Sequence, residues 1–292
     1  MRHNLTTADG RTLTVEDAGV PDGLPVMVHV GTPNSRHLYG RTVADATARG
    51  LRLISYDRPG YGESTPRPGR TMADTAVDAR AICAALGIDR LAMWGLSGGG
   101  PPLLACAALL PDLVAAAACL ASPAPYDAAG LDWFGGMGPG AAGQVAQMLT
   151  DRAASRALFE KERAEMLAAS PADLAEQMTS ALQPGDDPGF LLDEAICMQQ
   201  AYASGIEGCW DDCFAEVTRW GFDLAEISVP VLLMHGRRDE AVPFSHGQWL
   251  AAHIPGVEAR LLDDEGHGTL RENHIGEVHT WLADRLVGEP AT

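Results

Sequence analysis

The segment Trp94-Gly95-Leu96-Ser97-Gly98-Gly99-Gly100 sets a serine between glycines two places before and two places after it. The apolar run over 91–94 has the length and composition of a short buried strand, and a helical pattern over 101–110 opens on Pro101 and Pro102. A sharp strand-to-helix turn holds such a serine in strained backbone geometry, at a cost of about 1–3 kcal/mol. The residues on either side then crowd each other, so only small ones fit, and the serine Oγ is lifted clear of the sheet. The helix N-terminus beneath it adds positive potential where an oxyanion would form. Two prolines cost little in a first helical turn, whose N–H groups have no intrahelical partner. No Gly-Lys-Ser/Thr follows, as a phosphate-binding loop requires, and the glycine spacing does not match a dinucleotide-binding turn. The remaining alternatives are a nucleophilic serine and a purely structural glycine-rich turn.

Outward from this turn, short apolar runs at 12–16, 26–30, 51–56, 91–94, 114–120, 229–234 and 257–262 read as strands. Helical patterns over 71–86, ending at Gly87, and over 101–110, 244–253 and 272–286 separate them. This alternation predicts an α/β fold with a mostly parallel central sheet flanked by helices. The rhythm stops between about 122 and 220, where the chain is Ala/Met-rich, acidic and helical in pattern, with breaks at GGMGPGAAG (135–143) and QPGDDPG (183–189). Residues 1–125 and 219–292 are therefore expected to form one core, with 126–218 inserted as a helical cap.

The net charge of −18 and the absence of basic clusters argue against nucleic acid and anionic membranes as partners. No apolar run reaches the roughly 18 residues of a transmembrane helix, and the first residues, MRHNLTTADGRTL, lack a signal-peptide core. A cytoplasmic protein acting on a small molecule is expected; self-association stays open. Lys161 is the single lysine and lies among helical charges, which leaves little room for lysine chemistry. The six cysteines are scattered among apolar residues, as buried reduced thiols would be. Cys209 and Cys213 bracket Trp-Asp-Asp without further ligands, so no metal or other cofactor is expected.

A serine nucleophile needs a base, and the base needs an orienting acid. Asp239 follows the strand ending near 234, and His267, between Gly266 and Gly268, follows the last strand. Both sit with Ser97 at carboxyl ends of predicted strands, where ligand sites of open α/β sheets gather. The flanking glycines are expected to give the His267 imidazole room to move. Asp263, Asp264 and Asp127 are fallback acids.

With GLSGGG, SYDRPGYGES (55–64), GTPNSR (31–36), HGRRDEAVP (235–243) and GHG (266–268), nearly the whole chain resembles the α/β-hydrolase superfamily, and within it bacterial serine hydrolases with a helical cap. The resemblance implies an acyl-enzyme mechanism with Ser97, Asp239 and His267 as catalytic triad. It implies an oxyanion hole from the backbone N–H groups of Gly98 and Thr32, although Val30 separates His29 from Gly31 where relatives have His-Gly. Asp57 and Arg58 are expected to be buried hydrogen-bond anchors. The cap residues Tyr126, Trp133, Phe134, Met137, Met148, Phe159, Met166, Met178, Phe190, Met198, Tyr202, Trp210 and Phe214 are expected mostly to pack helices. Trp133, Phe134 and Trp210 are the candidates to touch substrate.

The expected substrate is an ester, lactone or thioester of modest size. An aminopeptidase of the proline iminopeptidase type is the alternative. It would need Glu207, Asp211 and Asp212 to hold an ammonium group, whereas the same residues also read as exposed helix charges. A serine at 97 disfavours the carboxylate-nucleophile dehalogenases and epoxide hydrolases. Perhydrolysis is open as a side reaction, and a binding protein on an inactive hydrolase scaffold is the non-enzymatic alternative.

Overall fold

A computed structural model describes residues 1–179 and 188–288 of the chain. Its eight strands are β1 (Arg2–Thr6), β2 (Thr12–Gly19), β3 (Leu24–His29), β4 (Leu51–Tyr56), β5 (Leu91–Leu96), β6 (Val114–Leu120), β7 (Val231–Gly236) and β8 (Glu258–Leu262). The helices are α1 (Gly40–Ala48), α2 (Thr75–Leu86), α3 (Gly100–Leu109), α4 (Pro139–Thr150), α5 (Arg152–Ala168), α6 (Pro171–Thr179), α7 (Leu191–Ala201), α8 (Glu207–Glu216), α9 (Phe244–His253) and α10 (His267–Val287).

The strands form one sheet in the order β1-β2-β4-β3-β5-β6-β7-β8. β1 and β2 pair antiparallel, β2 runs antiparallel to β4, and every pairing from β4 to β8 is parallel. The central strands β5, β6 and β7 are buried along their whole length, which explains their unbroken apolar sequences. One core, on the α2, α3 and α9 side, contains Ile82, Leu103, Leu104 and Leu250; the other, beneath α1 and α10, contains Ala46, Leu270, Val278 and Leu282. The Ala-rich β6 presents small side chains to both layers, so α3 and α10 each pack against it.

The expected strands are all present, with ends shifted by a few residues. β1 was not expected, because RHNLT alternates exposed and half-buried positions at the sheet edge and carries one apolar residue. α2 stops at Gly87 as expected, with φ 67° in the left-handed region that glycine tolerates. The last helix corrects its expected start at 272: it begins at His267. The two glycines read as loop, but the Thr269 hydroxyl accepts from the Gly266 N–H at 2.7 Å and closes the first turn. The break expected at 135–143 is only half a break, since α4 starts at Pro139; the break at 183–189 lies largely outside the described residues. Between β6 and β7 the described residues hold α4 to α8 and no strand. Among the described residues no helix is long and apolar enough to cross a membrane. All six cysteines are unbridged, and burial pushes the Cys83, Cys119 and Cys197 thiols up to about 12.

Candidate active site

Parallel strands share one carboxyl edge, and four loops that leave it bring the sequence candidates together. Ser97 directly follows β5, Thr32 lies just past β3, Asp239 just past β7, and His267 just past β8. Ser97 has φ 55°, one of two non-glycine residues in the left-handed region among the described residues, so the strain inferred from its flanking glycines is present in the backbone. The turn leaves no space around it. A Cβ on Gly95 would stand 2.5 Å from the Gly99 carbonyl oxygen, and one on Gly99 would stand 2.0 Å from the His29 oxygen and 2.6 Å from the Val30 oxygen. Because these obstacles are backbone, Gly99→Ala is expected to destabilise the fold by about 3 kcal/mol, measured by denaturant unfolding; a loss under about 1 kcal/mol would show that the turn relaxes around a methyl group.

The His267 Nδ1 lies 2.8 Å from Asp239 Oδ2. The other oxygen of Asp239, Oδ1, accepts from the Ala241 and Val242 N–H groups at 2.9 and 2.8 Å. The Asp239 side chain is fully buried, while that of His267 is 28% exposed. A carboxylate held by two backbone donors fixes the ring it touches and leaves the second ring nitrogen for proton transfer. The fallback acids do no such thing: Asp263 and Asp264 form exposed pairs with Arg237 and Arg238, and Asp127 lines a separate surface hollow.

Ser97 and His267 open onto one cleft of about 460 Å³, with Thr32 and Pro33 on its wall. Gly98 and Thr32 touch, since a Cβ on Gly98 would meet the Thr32 Oγ1 at 2.4 Å and the Thr32 nitrogen at 3.3 Å. From the helical segment the cleft receives Met178, Phe190, Leu191, Glu194 and Met198, and from α10 Arg271. Trp133, Phe134 and Trp210, singled out as substrate contacts, are placed elsewhere. Trp133 and Phe134 pack with Tyr126, and Trp133 donates to the Ala124 carbonyl at 2.9 Å. Trp210 packs between Phe159 and Phe214. These three aromatic residues go into the helix packing, and the apolar wall of the cleft is left to Met178, Phe190, Leu191 and Met198. Glu194 and Arg271 were missed. Arg271 lies one helical turn beyond His267, on the same face, a signal hidden by placing the helix start at 272.

Of the four acidic residues of α8, Glu207, Asp211 and Asp212 are engaged by arginines. Glu207 pairs with Arg156 at 2.6 Å and Asp211 with Arg70 at 3.2 Å. For Asp212 the exposed-charge reading is corrected: it is 5% exposed and lies between Arg58 and Arg70. Burial pushes its carboxyl up, but the two guanidinium charges outweigh burial and hold it below the usual carboxylate value. Asp57 and Arg58 are the buried anchors that were expected, with Asp57 accepting from the Arg36 backbone and side chain at 2.7 and 2.6 Å.

His29, beneath the Thr32 loop, is 1% exposed, and neither ring nitrogen has a partner among the described residues. Burial, with the Arg58 charge, lowers its pKa to about 3. The unfolded imidazole takes up a proton near 6.5 and the folded one only near 3. Its contribution to stability is therefore complete above 6.5 and lost as pH falls below it, by about 1.4 kcal/mol per pH unit. His29→Leu is expected to show a correspondingly shallower loss of unfolding free energy between pH 6 and pH 4.5; parallel curves would contradict this.

A family model described as the alpha/beta hydrolase fold matches residues 25–273, and this chain belongs to that family. It is 29% identical over 279 residues to a non-heme chloroperoxidase from Streptomyces lividans, covering 91% of this chain and 93% of the relative. It is 27% identical over 245 residues to a bifunctional esterase/perhydrolase from Acinetobacter calcoaceticus, covering 82% and 83%. Among solved structures, a thermophilic esterase from Thermogutta terrifontis superposes with a TM-score of 0.69 at 22% identity, covering 98% of this chain and 100% of that one. The last likeness is one of fold.

Proposed function

We propose that this chain is a serine hydrolase that cleaves a carboxylic ester, lactone or thioester of modest size through an acyl-enzyme. The observation that carries this reading is the 2.8 Å His267–Asp239 contact on the cleft that also holds the left-handed Ser97. In this reading His267 takes the Ser97 proton as Oγ attacks the carbonyl carbon. The Gly98 and Thr32 N–H groups receive the developing oxyanion, each worth about 2.7–4 kcal/mol in the transition state. His267 then returns the proton to the leaving group, and water, activated the same way, releases the acid. Asp239 keeps the Nδ1–H tautomer throughout. The helical segment between β6 and β7 serves as the cap, and its Met178, Phe190, Leu191 and Met198 supply an apolar wall for the substrate.

The aminopeptidase alternative loses its support, because the α8 carboxylates meant for an ammonium group are taken by Arg156, Arg70 and Arg58. Perhydrolysis fits as a side reaction of the same acyl-enzyme, with hydrogen peroxide replacing water as acceptor. The chloroperoxidase and esterase/perhydrolase relatives favour that reading. A fluorophosphonate probe tests the proposal: it should label Ser97 in the folded chain, and competition across esters, lactones, thioesters and prolyl amides should rank substrate classes. Folded protein that stays unlabelled at Ser97 would sink it.

A further inference from the structure

The Thr32 loop is not held by its own strand alone. Arg58, from the loop after β4, turns both of its terminal nitrogens toward it, while Nη2 also lies 2.7 Å from Asp212 Oδ2. Nη1 donates to the Val30 carbonyl at 2.5 Å, and Nη2 donates to the Gly31 carbonyl at 2.9 Å and to Thr32 Oγ1 at 3.0 Å. The remaining donor, Nε, reaches Asp212 Oδ2 at 2.8 Å, and Thr32 Oγ1 donates to the same oxygen at 3.3 Å. Asp212 comes from α8 in the helical segment, 154 positions further along the chain. Its other oxygen, Oδ1, accepts from Arg70 Nη2 at 2.5 Å, and Arg70 also donates to the Gly208 carbonyl of α8 at 2.9 Å.

The peptide group turns these contacts into a direction. Across a trans peptide the C=O and the following N–H point opposite ways in one plane. The Gly31–Thr32 bond is not among the cis bonds of the chain. Pinning the Gly31 oxygen to Arg58 therefore aims the Thr32 N–H away from Arg58, and Gly98 is the residue that meets Thr32. Arg58 can perform this task at 3% exposure only with a compensating carboxylate, and Asp212 faces it. Resting on the serine-hydrolase reading above, we propose that Asp212 is a positioning residue: through Arg58 it sets the Thr32 amide, so that seating α8 on the core completes the oxyanion pocket.

The test uses the full chain with p-nitrophenyl butyrate as substrate and n-butylboronic acid as mimic of the tetrahedral state. Asp212→Asn keeps the shape and removes the charge. It is expected to lower kcat by about 10–100-fold, as loss of alignment at one oxyanion donor does, with KM within threefold and boronate inhibition weakened in step with kcat. Thr32→Val, which cuts the side-chain links but keeps the amide and the volume, is expected to lower kcat about tenfold on the same principle. Asp78→Asn is the control. Asp78 is a buried partner of Arg11, at 2.6 Å, away from the cleft, so its loss should lower Tm and leave kcat within twofold. Folded Asp212→Asn with kcat and boronate affinity within twofold of wild type overturns the proposal, as does Asp78→Asn losing kcat equally. If Asp212→Asn does not fold, Arg58→Lys decides, because it keeps the charge facing Asp212 but cannot hold the Val30 and Gly31 carbonyls together: unchanged kcat overturns the proposal, and a loss confined to kcat and boronate affinity supports it. Wild-type chain without turnover removes the hydrolase reading itself, whereas wild-type turnover with an indifferent Asp212→Asn removes this proposal alone.

Discussion

Ser97→Ala is expected to lower kcat/KM for p-nitrophenyl butyrate by about a millionfold, the loss seen when a triad nucleophile is removed, while the far-ultraviolet spectrum and the cooperative melt stay as in wild type. The two halves of that expectation have separate grounds. Without Oγ no acyl-enzyme can form, so only the residual rate enhancement from binding and oxyanion stabilisation remains. The fold is spared because the serine side chain carries none of the core. A companion variant separates chemistry from strain. Ser97 sits at φ 55°, where glycine is at ease and alanine is no better off than serine. Ser97→Gly should therefore be inactive and about 1 kcal/mol more stable than Ser97→Ala. An alanine variant that kept more than about one per cent of wild-type activity would place the nucleophile elsewhere, given how large the loss on removing a true nucleophile is.

The parts of this site legible in the sequence were those whose function imposes a local backbone rule. Gly95 and Gly99 are dictated by carbonyl oxygens within 2.6 Å of any added methyl group, so the turn was visible from composition alone. The buried parallel strands were equally visible, because burial on both faces demands an unbroken apolar run. Asp239 and His267 stand out in the sequence by their position after strands, although the glycines beside His267 hide the start of its helix. What stayed hidden depends on three-dimensional pairing. Asp212 looks like any acidic residue on a polar helix until Arg58 and Arg70 are seen to converge on it from 154 and 142 positions away. Arg271 and Glu194 are likewise ordinary charges in sequence, and they face each other across the cleft at 3.7 Å only because α7 and α10 meet there. The edge strand β1 escaped because an edge position does not require apolar residues.

Asp239→Asn is expected to lower kcat by about 10,000-fold with little change in stability, and its cause is a tautomer rather than a lost charge. The two oxygens of Asp239 have different partners. Oδ1 accepts from the Ala241 and Val242 amides, and only an oxygen can take that place. In the asparagine variant the carbonyl oxygen must therefore occupy the Oδ1 position, which turns the Nδ2 amide toward His267 Nδ1, 2.8 Å from the present Oδ2. An amide nitrogen only donates, so Nδ1 becomes the acceptor and the imidazole proton moves to Nε2. The ring is then shaped as before but cannot accept the serine proton. The backbone hydrogen bonds survive and a buried charge disappears, so Tm should move by only a few degrees. Asp239→Ala, which also breaks the loop contacts, should lose stability as well, because the buried Val242 amide and the part-buried Ala241 amide are left without an acceptor. Asp263→Asn and Asp264→Asn complete the comparison. Their side chains are 76% and 85% exposed and pair with arginines, so each should retain kcat within twofold. If either of them lost more activity than Asp239→Asn, the acid of the triad would lie after β8 and not after β7. The fixed orientation of the Asp239 carboxylate would then have a structural purpose alone.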